Sequence, residues 1–132
     1  MSPDPMIEFR LDRHTGVPAY RQIIDQVRHA IHLGILRPGD QLPTVREVVR
    51  QITINPNTVH RAYRELELQG LTEGRTGSGT FIRHSLSEVS GQQPKLLGQL
   101  ELWMKRARDA GLEIEAVEAL IAEALQSMKE EE

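Results

Sequence analysis

Two short helical patterns joined by a connection of a few residues, a glycine-rich stretch flanked by strand-like runs, and two longer apolar stripes near the C-terminus predict a mainly α chain with a small β wing. The first two features describe an N-terminal winged helix-turn-helix unit over residues 1–84, and the third a two-helix tail over 95–132. Residues 85–94, rich in Ser, Gly and Gln with one Pro, read as the linker between them.

Taken in order, Met1 to Asp12 holds two prolines and a short extended run, Ile7-Glu8-Phe9-Arg10-Leu11, that reads as an arm or a small edge strand. Pro18 opens a helix to about Leu33, with Ile23, Val27, Ala30 and Ile31 on its apolar stripe and Gly34 as the stop. His29 and His32 lie one turn apart on it, but without a third ligand nearby they read as surface residues and predict no metal site. Arg37-Pro38-Gly39-Asp40 is a turn by composition. Thr44-Val45-Arg46-Glu47 is a capping box, in which the Thr44 hydroxyl accepts the Glu47 N–H and the Glu47 carboxylate reaches back. It starts a helix to about Gln51 with Val45, Val48 and Val49 on its apolar side, and Ile52-Thr53-Ile54 leads out of it.

The next helix is the centre of the pattern. Asn55 is a strong N-cap residue and Pro56 suits the first helical position, where a missing N–H costs nothing. Val59, Ala62, Tyr63 and Leu66 recur at steps of three and four and define one apolar face. The other face is left to Asn57, Thr58, His60, Arg61 and Arg64: short hydrogen-bonding groups first, cations further along. That is the composition of a helix that reads base edges and grips phosphates, although a helix with a merely solvated polar face shows the same spacing.

After the stop at Gly70, Leu71-Thr72-Glu73 and Thr80-Phe81-Ile82-Arg83 pair as a hairpin around the tip Gly74-Arg75-Thr76-Gly77-Ser78-Gly79. A hairpin directly after a helix-turn-helix is a wing, and Arg75 at its tip is placed to enter a minor groove or hold a phosphate. The tip's Gly-x-x-Gly-x-Gly order fits neither nucleotide-binding fingerprint, and no helix N-terminus follows it to receive phosphate. Ser78 lacks the first glycine of a nucleophile elbow, because Thr76 stands there.

Composition narrows the function further. The chain has 132 residues and no cysteine, which removes disulfides, thiolate metal sites and cysteine nucleophiles together. No apolar run approaches the roughly 20 residues of a membrane span, and no signal-peptide core is visible, so a cytoplasmic location is expected. The net charge of −3 hides an asymmetry: Met1 to His84 carries eleven arginines against nine acids, for +2, while Ser85 to Glu132 carries −5. The half expected to meet a polyanion is mildly basic, and all its cations other than histidine are arginines, which suits bidentate contacts to phosphate and guanine.

In the tail, Leu96, Leu97, Leu100, Trp103, Met104 and Ala107 follow helical spacing, and so do Leu112, Val117, Leu120, Ile121, Ala124, Leu125 and Met128 after a break at Ala110-Gly111. Two helices of this length do not hide both stripes from water by themselves, so a partner surface is expected, the alternative being that the helical hairpin folds back onto its own winged domain. Leu96, Leu97, Leu100, Trp103, Met104, Val117, Leu120, Ile121 and Leu125 are the residues expected to form it, in an intersubunit bundle.

Leu42-Pro43-Thr44-Val45-Arg46-Glu47, Asn55-Pro56-Asn57-Thr58-Val59, Ala62-Tyr63-Arg64-Glu65-Leu66-Glu67, Gly70-Leu71 and Gly77-Ser78-Gly79-Thr80-Phe81 resemble the winged-helix domain of GntR-family bacterial transcription regulators. The Asn-Pro-Asn-Thr and Ala-Tyr-Arg-Glu-Leu-Glu stretches, with so short a tail, resemble the YtrA subfamily in particular. The resemblance covers about Pro18 to Arg83. It implies a homodimer on a double-stranded DNA operator with two-fold symmetry, usually as a repressor, with no cofactor and with a small-molecule effector that the residues do not name. By position Arg46 matches the family's DNA-contacting arginine at the start of the second helix, Asn57, Thr58 and His60 fall on the reading helix, and Arg75 to Gly77 on the wing tip. Two positions depart from the pattern: Pro56 stands where several subfamilies carry a base-reading arginine, and Thr53 where a glycine is common in the turn.

The DNA-facing set expected from residues and resemblance together is Thr44, Arg46, Asn55, Asn57, Thr58, His60, Arg61, Arg64, Arg75, Thr76, Gly77 and Ser78. The rival from another class is a winged helix used only for protein contacts. A weaker one is an enzyme, for which Asp25, Glu65 and Glu67 supply carboxylates without a second catalytic group to pair with.

Overall fold

The computed structural model describes residues 7–83 and 92–131, which belong to two compact units meeting at Gln93 and Pro94. In the first unit α1 (Ala19–His32), α2 (Val45–Ile52) and α3 (Pro56–Leu68) precede a hairpin of β1 (Thr72–Arg75) and β2 (Gly79–Ile82). α1, α2 and β1 all pack on α3, so the helix with the mixed polar face is also the hub of the core. Val59, Ala62 and Leu66 are completely buried and Tyr63 nearly so, in one cluster with Ile23 and Val27 of α1, Val48 of α2, Leu42 and Ile82. Each such side chain taken out of water contributes about 1.5–3 kcal/mol, enough to set which face of α3 turns inward.

The Tyr63 hydroxyl donates to the Pro43 carbonyl at 2.6 Å inside this cluster. Burial, and secondarily the Glu47 carboxylate, raise the phenol's pKa above its ordinary range. Pro43 immediately precedes the Thr44 capping box, which is fully formed: Glu47 N donates to Thr44 Oγ1 and Thr44 N to Glu47 Oε1, each at 3.1 Å.

α1, α3 and α4 (Gln93–Asp109) run into left-handed glycines, Gly34, Gly70 and Gly111, with the following amide returned to the last turn of the helix. α2 ends on Thr53 instead, at φ 47° and ψ 71°. Thr53 is the one residue other than glycine with positive φ among the described residues, and its branched Cβ makes the conformation a strained one.

Two local expectations change with tertiary contacts. Ile7 to Leu11 forms no strand; its backbone is held by side-chain amides. Gln51 Oε1 accepts Phe9 N at 3.2 Å, Gln26 bonds both N and O of Arg10, and Gln22 bonds both N and O of Asp12. A carboxamide carries one acceptor and a donor pair, so it satisfies a backbone segment where no sheet edge is at hand. The wing, in turn, is wider than a hairpin. The Arg37–Asp40 turn closes as expected, through Asp40 N to Arg37 O and Arg37 N to Asp40 Oδ2, but the chain then pairs with β2 through Gly39, Asp40 and Leu42 and an antiparallel bridge of Gln41 to Phe81.

In the second unit α4 and α5 (Ile114–Glu130) are joined through Ala110–Glu113. Most of the expected linker lies outside the described residues, and its end is already helical: Gln93 and Pro94 are in the first turn of α4, where proline's missing N–H leaves no bond unmade. Val117, expected on the partner surface, is buried near the interhelical turn together with Ala107. Leu96, Leu100, Trp103, Met104, Leu120 and Leu125 are exposed, and Leu97 and Ile121 half-buried. An open groove of about 760 Å³ runs between the helices, with Leu102, Met104, Leu112 and Ile121 among its walls.

The Tyr63 bond makes stability depend on alkaline pH in a definite direction. With the folded-state pKa raised, the contribution is complete below the unfolded phenol's value of about 10 and is lost as pH rises beyond it. Denaturant titrations should show wild type losing up to about 1.4 kcal/mol per pH unit above that point relative to Tyr63→Phe. At pH 7 the same variant should be less stable by about 1–3 kcal/mol, because the Pro43 carbonyl is left buried and unpaired. Parallel alkaline curves for the two proteins would show that this phenol does not govern the slope.

Candidate nucleic-acid interface

With its apolar face locked, α3 turns Asn57, His60, Arg61 and Arg64 to solvent and leaves Thr58 half-buried beside them. Its start is built as its sequence implies: Asn55 Oδ1 accepts Asn57 N at 2.8 Å and Pro56 takes the first position. The acceptor oxygens of Asn55 and Thr44 are thereby committed to the two helix starts, which leaves the Asn55 amide protons and the Thr44 hydroxyl proton for any outside partner. Both helix N-termini also carry the positive end of a macrodipole, a favourable place for an anion.

The cations around these starts are in different states. Arg46, at the second position of α2, is exposed, and neither it nor His60 or Arg64 has a hydrogen bond or ion pair among the described residues. Arg61 is not loose: its guanidinium lies over the Tyr20 ring, 3.8 Å from the centroid, a cation–π contact that fixes the head beside the first turn of α1.

Arg75 departs from the expected tip position. The register pairs it with Gly79, which makes it the last residue of β1 and places Gly74 inside the strand. Residues 73 and 75 share a strand face, so Arg75 Nη2 reaches Glu73 Oε1 at 2.9 Å, and the same guanidinium lies 4.3 Å from the Phe81 ring centroid. The ion pair screens its charge, and the ring sets its direction. The turn itself is Thr76, Gly77 and Ser78, all exposed, closed by Ser78 N on Arg75 O at 2.9 Å. Gln41 Nε2 donates to Ser78 O at 3.0 Å and braces the tip from the third segment; a Cβ at Gly79 would come within 2.5 Å of that nitrogen.

The winged unit thus presents exposed donors and cations at the starts of α2 and α3 and along the wing. Three of their supports have no motif of their own. Tyr20 continues the α1 stripe one turn before Ile23 and Ile24, a spacing that could have marked it. Gln41, and Arg13, whose Nη2 donates to Thr53 O at 3.1 Å, act across the fold and leave no local trace.

Residues 19–82 match the family model described as bacterial regulatory proteins, gntR family. The chain is 39% identical to the HTH-type transcriptional repressor YtrA of Bacillus subtilis, over 86% of this chain and 89% of that one. Among solved structures it is similar to YtrA from Sulfolobus acidocaldarius, a GntR-family transcription factor, with a TM-score of 0.55, 29% identity, and coverage of 73% of this chain and 98% of that one. It is also similar to the DNA-binding domain of AraR in complex with operator ORX1, with a TM-score of 0.51, 26% identity, and coverage of 58% and 95%.

Because Asn55 holds the start of α3, replacing it has a cost independent of any ligand. Asn55→Ala should lower stability by about 1 kcal/mol in chemical denaturation without added DNA. An unchanged midpoint would mean that the cap seen at 2.8 Å contributes nothing in solution.

Proposed function

The chain belongs to the GntR family and is a DNA-binding transcriptional regulator, and from that premise we propose that it works as a homodimeric repressor on a palindromic operator. The observation that carries this reading is the division of α3 into an apolar face that is buried and a polar face of amide, imidazole and guanidinium groups that is open. An α-helix with side chains is about 10–12 Å across and the major groove of B-DNA about 12 Å wide, so such a face fits base edges directly. In this reading Asn57, Thr58 and His60 choose bases, Arg46 and Arg64 hold phosphates or a guanine edge, and Arg61 does so from its seat on Tyr20. Thr44 and Asn55 add backbone contacts, and Thr76, Gly77 and Ser78 bring the wing close to the sugar-phosphate chain, with Arg75 steered by Phe81. A winged helix confined to protein contacts finds no favouring observation. The relatives are regulators, which speaks against an enzyme, and a DNA-bound regulator works in the cytoplasm beside the nucleoid.

The tail supports the dimer. Leu100 is 44% exposed and Trp103 37%, with Leu96, Met104, Leu120 and Leu125 also open to water. Large apolar side chains repeated along two helices in this way mark an interaction surface. Two copies of α4 and α5 covering each other would hold the reading helices about one helical turn of DNA apart, or a multiple of it. The groove between α4 and α5 is the natural place for a small effector to alter that spacing.

Two measurements test these assignments. On a duplex recovered by selection from genomic DNA, Asn57→Ala should relax preference at one base position by about 1–3 kcal/mol, and Arg46→Ala should weaken binding across sequences. Unchanged affinity in both would remove the roles given to them. Sedimentation of the double variant Leu100→Glu and Trp103→Glu should show monomers where wild type shows dimers. A double variant that stays fully dimeric would place the dimer contact elsewhere.

A further inference from the structure

We propose that Arg13 contacts a DNA phosphate, as the head of an N-terminal strap that carries the interface beyond the helix-turn-helix and the wing. The inference rests on the DNA-binding reading above and assigns a further site within it. The strap is an ordered piece of chain. Gln26 and Gln22 hold the backbone of Arg10 and Asp12 along α1, Asp12 Oδ1 accepts His14 N at 2.9 Å, and Thr15 Oγ1 accepts Val17 N at 3.2 Å. The path then enters α1, where Tyr20 carries Arg61. One end of this loop therefore lies at the turn before α3, and the other beside the exposed face of α3 itself.

Arg13 Nη2 donates to Thr53 O at 3.1 Å. Thr53 is two residues ahead of the Asn55 cap, roughly 7 Å of chain, so the guanidinium stands at the flank of the end of α3 that reads bases. A helix nearly fills a major groove, and a group on its flank meets the wall of the groove, which is phosphate. Arg13 is exposed and has no carboxylate partner among the described residues, and its nearest acid in sequence, Asp12, has one carboxylate oxygen engaged by the His14 amide. A planar guanidinium anchored through one N–H keeps others for a second acceptor, which is the way arginine binds phosphate at an interface.

The same hydrogen bond could serve only to prop the left-handed Thr53, and the experiment separates the two roles. Full-length wild type, Arg13→Ala, Arg13→Gln, Arg13→Lys and Thr53→Gly, and the double variant Arg13→Ala with Thr53→Gly, are titrated against the selected operator and an unrelated duplex over a range of salt. Glutamine keeps a donor for Thr53 and removes the charge, and a thermal melt verifies that each variant is folded. If Arg13 holds a phosphate, Arg13→Ala and Arg13→Gln weaken both duplexes by a similar factor, roughly tenfold, and reduce the slope of log affinity against log salt by about 1, while Arg13→Lys keeps the slope. The proposal is overturned by an unchanged slope in the alanine and glutamine variants. It is equally overturned by a loss confined to the operator that disappears in the Thr53→Gly background, where glycine takes the turn without support. Wild type that binds neither duplex in a salt-dependent way would instead bring down the DNA-binding reading, and the proposal with it.

Discussion

The position of the exposed polar face of α3 relative to α2 depends on one buried hydrogen bond, from the Tyr63 hydroxyl to the Pro43 carbonyl. Tyr63 sits in the middle of the apolar face of α3, and Pro43 stands just before the cap of α2, so the bond ties α3 to the start of α2. Arg46 lies three residues beyond the carbonyl, while Asn57, Arg61 and Arg64 lie on the exposed face of α3, turned away from the phenol. Hydrophobic contact alone holds two helices together without fixing how far one slides on the other. A directional bond in a dry site adds that constraint, since a phenol or carbonyl displaced from its partner would be left buried and unpaired.

Around this anchor the fold keeps exposed cations and the wing tip in place with contacts to neighbouring side chains. Arg61 rests on Tyr20, Arg75 on Phe81, and the wing tip on Gln41. Each seat reduces the conformational freedom a long side chain or a loop would otherwise lose on meeting a ligand. Thr53 shows the opposite economy: the turn between α2 and α3 accepts backbone strain where glycine would be relaxed, and an arginine from the arm is bonded to the strained residue's own carbonyl.

The tail follows another logic. Its acidic residues keep α4 and α5 hydrated, while leucines, a tryptophan and a methionine on these helices remain exposed. Only Ala107 and Val117, flanking the turn, are buried among its described residues. Large apolar side chains left open along both helices make this unit's surface far more apolar than that of the winged unit's polar α3 face.

Much of this was legible in the sequence because it is local. A capping box joins residues three apart, an asparagine cap reaches two residues on, a left-handed glycine ends its own helix, and a spacing of three and four names an inward face; so α1, α2, α3 and the burial of Val59, Ala62, Tyr63 and Leu66 followed from the order of residues alone. What the order of residues left open is which distant group each side chain meets. The arm reads equally as a strand until Gln22, Gln26 and Gln51 are brought to its backbone, and Arg75 reads as a free tip cation until the register sets it beside Glu73 and Phe81. Gln41 and Arg13 have no pattern at all, since their partners lie about forty residues away in the chain. Local hydrogen bonding and hydrophobic periodicity are properties of the chain's own geometry and are written in it, whereas register, stacking and long-range bonds exist only once burial of the α3 face has brought those segments together.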